Sequence, residues 1–140
     1  MESQRTTYGW VLRLDPGEEI FGCIQRFASE RGLGAAMISA LGACGEAELG
    51  FFDRARSTYV RRTFQGEFEI LSLTGNLSVL EGQPLPHCHV LLAGDDFVAH
   101  GGHLFRAVVT VTCEVSLVTD PGVLRRDKRP DLGYNPLAPA

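Results

Sequence analysis

The stretch from Ala107 to Thr119 constrains the fold more than any other. Val109, Val111, Cys113, Val115 and Leu117 alternate with Thr110, Thr112, Glu114 and Ser116. A period of two puts the first set on one face of a strand and the second on the other, and the many β-branched residues suit a pleated backbone. A strand this long with one apolar face needs partners on its edges and cover on that face. The rest of the chain has to supply both.

Cover comes from a single helix. Asp15-Pro16-Gly17-Glu18 reads as its start, with Asp15 as N-cap, Pro16 in the first helical position and Glu18 completing a capping box. Ile20, Ile24, Phe27 and Ala28 follow at helical spacing, while Glu19, Gln25, Arg26 and Glu30 face away. Gly32 and Gly34 after Arg31 end it.

Partners come from everything else. Tyr8–Leu14 reads as a first strand and Ala36–Leu41 as a second. Gly42 and Gly45 bracket a bend, after which Ala47, Leu49 and Phe51 alternate with Glu46, Glu48 and Gly50. Asp53–Ser57 is a polar turn, Tyr59–Phe64 a strand, Gln65-Gly66 a turn, Phe68–Leu77 a long strand and Glu81-Gly82-Gln83-Pro84 a further turn. The expected architecture is α+β: one compact domain, a mainly antiparallel sheet of about seven strands and one principal helix. Residues 1–120 form the domain and 121–140 a proline-rich tail holding Pro121, Pro130, Pro136 and Pro139. The Arg125–Arg129 cluster in that tail reads as a solvated segment.

Bulk properties narrow the function classes. The 140-residue chain can bury a core without a disulfide or metal to hold it. A net charge of −4 gives no pull toward nucleic acid or anionic lipid. Cys23, Cys44, Cys88 and Cys113 lack CxxC spacing and sit in apolar segments, as small buried hydrophobes do. The N-terminal residues are polar with no apolar core of a signal peptide, and no apolar run approaches a membrane span. A reducing, cytoplasmic location is expected.

All four histidines fall between His87 and His103. His87 and His89 are two apart on a strand, so both imidazoles project from one face, while Cys88, Val90 and Leu92 point to the other and supply core. Gly101-Gly102 before His103 reads as a tight turn that allows close approach. If it folds back beside His87 and His89, three imidazoles converge as a zinc site with an open fourth position. Two histidines plus a carboxylate from Asp95, Asp96 or Glu114 would instead make a non-haem iron triad. Glu114 is otherwise a solvent-facing strand carboxylate or a group that orients a histidine. His100 stands at an odd offset and reads as a bystander. The histidines also admit a purely structural reading. There is no GxSxG elbow, P-loop or dinucleotide fingerprint.

Several segments together are similar to one known family. Glu69-Ile70-Leu71-Ser72-Leu73-Thr74-Gly75-Asn76, Pro86-His87-Cys88-His89, Gly101-Gly102-His103-Leu104 and Thr112-Cys113-Glu114-Val115 resemble the plants-and-prokaryotes-conserved (PPC) domain. Arg13-Leu14 with Gly17-Glu18 fits it too, as does Leu41-Gly42-Ala43 leading into Gly50-Phe51-Phe52-Asp53. The resemblance spans about Tyr8 to Val118. It implies a compact antiparallel domain that assembles as a homotrimer, with Phe51-Phe52 and Phe68–Leu77 as interface candidates. Plant members join the domain to AT-hooks; prokaryotic members stand alone and often carry a DNA-binding label. This chain has no AT-hook, since Lys128-Arg129-Pro130 lacks the glycine-flanked core, so the plant role does not transfer. The prokaryotic reading places a divalent metal on His87, His89 and His103.

Three functions follow as expectations. The first is a homotrimer holding a divalent metal, zinc first, that polarises a small ligand or water, with no reaction named. The second is a DNA-binding regulator using Arg61, Arg62, Arg125, Arg126, Lys128 and Arg129. The third is an assembly module without metal.

Overall fold

A computed structural model describes residues 1–138. The elements run β1 (Glu2–Thr6), β2 (Gly9–Leu14), α1 (Ile20–Arg31), β3 (Ala36–Asp53), β4 (Thr58–Leu80), β5 (Gln83–Ala93) and β6 (Ala99–Thr119). All pairings between these strands are antiparallel, in the order β1-β2-β6-β3-β4-β5. The start of β6 also pairs with the end of β5, so that β6, β3, β4 and β5 close on themselves. The architecture is the expected α+β domain, with six strands where the sequence suggested seven.

The difference has physical causes. The bend at Gly42 and Gly45 is a pair of register shifts inside one strand, β3, between Ala40 and Gly42 and between Cys44 and Glu46. Gly42 has φ 147°, and a Cβ there would lie 2.2 Å from the Thr112 carbonyl oxygen. A bare backbone is therefore required where β3 presses on β6. Gln65-Gly66 is likewise no turn. β3 runs opposite both halves of β4 and pairs with each, so the chain bulges at Gly66 instead of reversing. β1 adds a strand that no pattern announces. All five of its side chains are exposed and polar, so the strand is held by pairing to β2 rather than by burial.

The helix starts later than the capping pattern implies. Gly17 N–H donates to the Val109 carbonyl, and Val109 N–H donates to the Glu18 carbonyl. This segment is thus paired to β6 and cannot enter helical geometry until it leaves. Glu19 then caps α1, its carboxylate accepting from the N–H groups of Phe21 and Gly22. Ile20, Cys23, Ile24, Phe27 and Ala28 bury the expected stripe, and Gly32 ends the helix in a left-handed conformation (φ 63°).

The core is formed by that stripe with Leu12, Leu14, Ile38, Leu73, Leu77, Val90, Leu92, Val109, Val115 and Leu117. Two expected core positions depart. Val111 is 67% exposed because β6 slips register between Val109 and Cys113, opposite Cys44 and Gly42. Phe51 is 74% exposed, beyond the register shift at Glu48/Leu49. All four cysteines are buried and free.

Residues 121–138 form a strap tied to the domain by backbone hydrogen bonds, although most of them, including Arg125, Lys128 and Arg129, stay exposed as expected. Val79 N–H donates to the Leu124 carbonyl, Arg126 N–H to the Val79 carbonyl, and Ala138 N–H to the Arg125 carbonyl. Of the tail prolines, Pro139 lies outside the described residues.

Gly75 shows how tightly the site-bearing strand is held. It pairs with Cys88, and a Cβ there would lie 2.0 Å from the His87 carbonyl oxygen. Gly75→Ala should destabilise the fold by about 1–3 kcal/mol through forced strand separation, measured by urea denaturation; an unchanged midpoint would contradict this packing.

Candidate metal centre

β5 has a clean alternation. Pro84, Pro86, Cys88, Val90 and Leu92 are buried, and the set on the other face includes Leu85, His87 and His89. β4 fixes this strand from one side, pairing Asn76 with His87 and Thr74 with His89. β6 fixes it from the other, pairing His103 with His89. Directly paired residues share a face, so His103 joins the two β5 histidines.

Gly101-Gly102 is therefore extended strand, not a turn. Its value is close packing: a Cβ on Gly102 would sit 2.9 Å from the Gly50 carbonyl oxygen, and one on Gly101 2.7 Å from Leu91 Cδ2. The reversal between β5 and β6 lies upstream. There Asp96 accepts from Val98 N–H and Phe97 takes φ 58°.

The three imidazoles form a triangle, with ring centroids 5.5 Å (His87–His89), 4.9 Å (His87–His103) and 5.6 Å (His89–His103) apart. One nitrogen from each lies within 4.8 Å of the others. Tetrahedral zinc with bonds of about 2.0–2.1 Å places its ligands roughly 3.3 Å apart, so small side-chain rotations close the triangle on an ion. Two further observations fit a cation. The buried His103 Nδ1 has no hydrogen-bond partner, a cost that a ligand bond would remove. Burial foremost, with neighbouring positive charge added, brings His87 and His103 down to about 4. Both are neutral at pH 7, the state that ligates metal.

The other candidates lie apart. Glu114 is exposed, pairs with Arg13 on β2 and stands eleven residues along β6 from His103, roughly 35 Å at strand spacing. Asp95 and Asp96 are exposed in the β5–β6 turn. His100 pairs with Leu92 and packs on Phe64, with ring centroids 5.2 Å apart. Among the described residues no carboxylate joins the three histidines.

The structure adds a residue that the sequence reading assigned to solvent. Arg126, carried in by the strap, places Nη2 2.9 Å from His87 Nδ1 and 2.9 Å from Asn76 Oδ1. Its Nε donates to Ser78 Oγ and its Nη1 to the Asn135 carbonyl. Arginine only donates, so His87 Nδ1 is the acceptor and the ring proton sits on Nε2. A cavity of about 320 Å³ opens beside this group, walled by Tyr59, Phe105 and Tyr134 with His87, His103 and Arg126. Nothing in the basic cluster distinguishes Arg126 from its neighbours; only docking of the strap does.

Residues 1–120 match the model of the Plants and Prokaryotes Conserved (PCC) domain, the family also abbreviated PPC. Among curated proteins, none matches. A metal-containing protein of Archaeoglobus fulgidus is 37% identical, with 99% of this chain and 97% of that chain covered and a TM-score of 0.87. A protein of Bacteroides thetaiotaomicron whose name proposes DNA binding is 28% identical (98% and 96% covered, TM-score 0.93). A plant- and prokaryote-conserved protein of Pyrococcus horikoshii is 26% identical (96% and 92% covered, TM-score 0.83).

The lowered histidines make stability pH-dependent. Between pH 6.5 and about 4 the unfolded chain protonates His87 and His103 while the folded chain does not. Stability therefore falls as pH drops through that window. In chelator-treated protein, urea midpoints should decline from pH 7 to 5, and His87→Asn/His103→Asn should flatten the decline. An equal slope in the variant would contradict the neutral, buried assignment.

Proposed function

The chain belongs to the Plants and Prokaryotes Conserved domain family, and from that premise we propose that it is a homotrimeric cytoplasmic protein holding a divalent ion, zinc, through His87, His89 and His103. The observation that carries this reading is the convergence of three imidazole nitrogens within 4.8 Å. An all-nitrogen donor set without a carboxylate suits zinc better than the oxygen-seeking magnesium or calcium. Three protein ligands leave a fourth position, from which a bound zinc ion would polarise a small ligand or lower the pKa of water. The metal-containing relative from Archaeoglobus adds independent support. Four buried free thiols favour a reducing compartment, and among the described residues no helix is long and apolar enough to cross a membrane.

The trimer has its own support. Met37 pairs with Val118, and both are exposed, as are Leu41 and Val111. Met37, Leu41 and Val118 share the sheet face turned away from the core, and a patch of this kind calls for a partner surface.

DNA binding is the second reading, carried by the names of relatives. The charges argue against it. Arg61 pairs with Glu48, Arg106 with Glu46, Lys128 with Glu81 and Arg129 with Asp131, while Arg126 is turned into the cavity. Arg62 and Arg125 stay exposed and meet no carboxylate among the described residues, but a net charge of −4 gives the surface as a whole no pull on phosphates.

Metal analysis of untagged protein should give close to one zinc per chain, lost in His87→Ala/His89→Ala, with a chelator lowering the melting temperature of the parent alone. A content well below one, unchanged in the variant, would contradict the site. Sedimentation should return three times the 15.3 kDa chain mass, with Met37→Glu/Val118→Glu shifting it to one. A monomeric parent would contradict the trimer. Salt-sensitive binding to duplex DNA would instead favour the second reading.

A further inference from the structure

Arg126 is a charge without a counter-charge. Arg13, Arg56, Arg61, Arg106 and Arg129 each meet a carboxylate. Arg5, Arg31, Arg54, Arg62 and Arg125 meet none among the described residues, but all five are exposed; Arg126 is half-buried in the wall of the cavity beside His87 and His103 and meets none either. Its four acceptors are a hydroxyl, a peptide carbonyl, a side-chain amide and an imidazole, all neutral. They engage four of its five N–H groups, leaving one on Nη1. A half-buried cation that lacks an anion is costly, and a divalent ion on the adjacent histidines would add to the positive field.

We propose that the cavity between Tyr59, Phe105 and Tyr134 binds a small carboxylate, with the Arg126 guanidinium as its anchor. The inference deepens the metal reading and in its full form rests on it. To ligate a metal through Nε2, His87 must carry its proton on Nδ1, where it would face the Arg126 Nη2–H. Two donors cannot share that contact. With His87 Nδ1 protonated, the Nη2 N–H that now meets it would be free beside the free one on Nη1, and the pair would match the two oxygens of a carboxylate. The wall favours a carboxylate over a bare phosphate. Tyr59, Phe105, Tyr134, Phe21, Leu85 and Pro86 offer apolar surface for an organic body. At about 320 Å³ the space suits a small molecule.

Calorimetric titration with acetate, butyrate and benzoate, each against its own amide, tests this on zinc-loaded and on chelator-stripped full-length protein. At least one carboxylate should bind the zinc-loaded protein tenfold or more tightly than its amide. Arg126→Gln should weaken it at least tenfold with zinc content unchanged, and Arg126→Lys should restore part of the affinity. The acid–amide comparison uses the parent protein, so it stands even if Arg126→Gln loosens the strap. Equal binding of acid and amide, binding unaffected by Arg126→Gln, no binding by any of the three acids, or inorganic phosphate binding more tightly than all of them would overturn the inference. If zinc is retained and the carboxylates fail, the metal reading survives without this one. If zinc is never held but a carboxylate binds the stripped protein through Arg126, the anion site stands and the metal reading falls.

Discussion

The pairing of β5 with the first residues of β6 is the constraint on which the rest depends. It closes β6, β3, β4 and β5 on themselves and sets His103 opposite His89. A slip of one residue in this short ladder would turn His103 toward the core and Leu104 outward. Several glycines guard against such a slip. Gly101 and Gly102 accept close contact with β5 and β3, and Gly75 accepts it where β4 backs His87. The same backbone economy that closes the sheet thus places three imidazoles on one patch.

What the sequence disclosed follows from the range of the physics involved. The apolar stripe of α1 and the alternation of β5 and β6 are local signals, legible because burial imposes a period. The i, i+2 relation of His87 and His89 is of the same kind. Interruptions were harder. Gly42, Gly45 and Gly66 look like turns in isolation, yet each sits in a strand whose long partner keeps pairing across the irregularity. β1 is invisible to any burial pattern because none of its side chains is buried. The helix start depends on Gly17 and Glu18 bonding to Val109, about ninety residues away in sequence.

The same distinction runs through the site. The histidines announce themselves by type and spacing; Arg126 does not. It is one of three arginines in a basic pentad, and its role comes from a strap that bonds to Val79 and turns one guanidinium inward while Lys128 and Arg129 stay with surface acids. The centre is therefore neutral in its ligands, positive in its neighbour and apolar in its wall. That combination suits a metal-held, anion-accepting cavity better than a nucleic-acid surface.

X-ray absorption at the zinc edge of untagged protein as purified addresses the central claim most directly. The account predicts a first shell containing three imidazole nitrogens at about 2.0–2.1 Å, with no sulfur, since Cys88 points to the opposite face of β5 and is buried in the core. Absence of a zinc edge, or a shell with sulfur at about 2.3 Å, would contradict it.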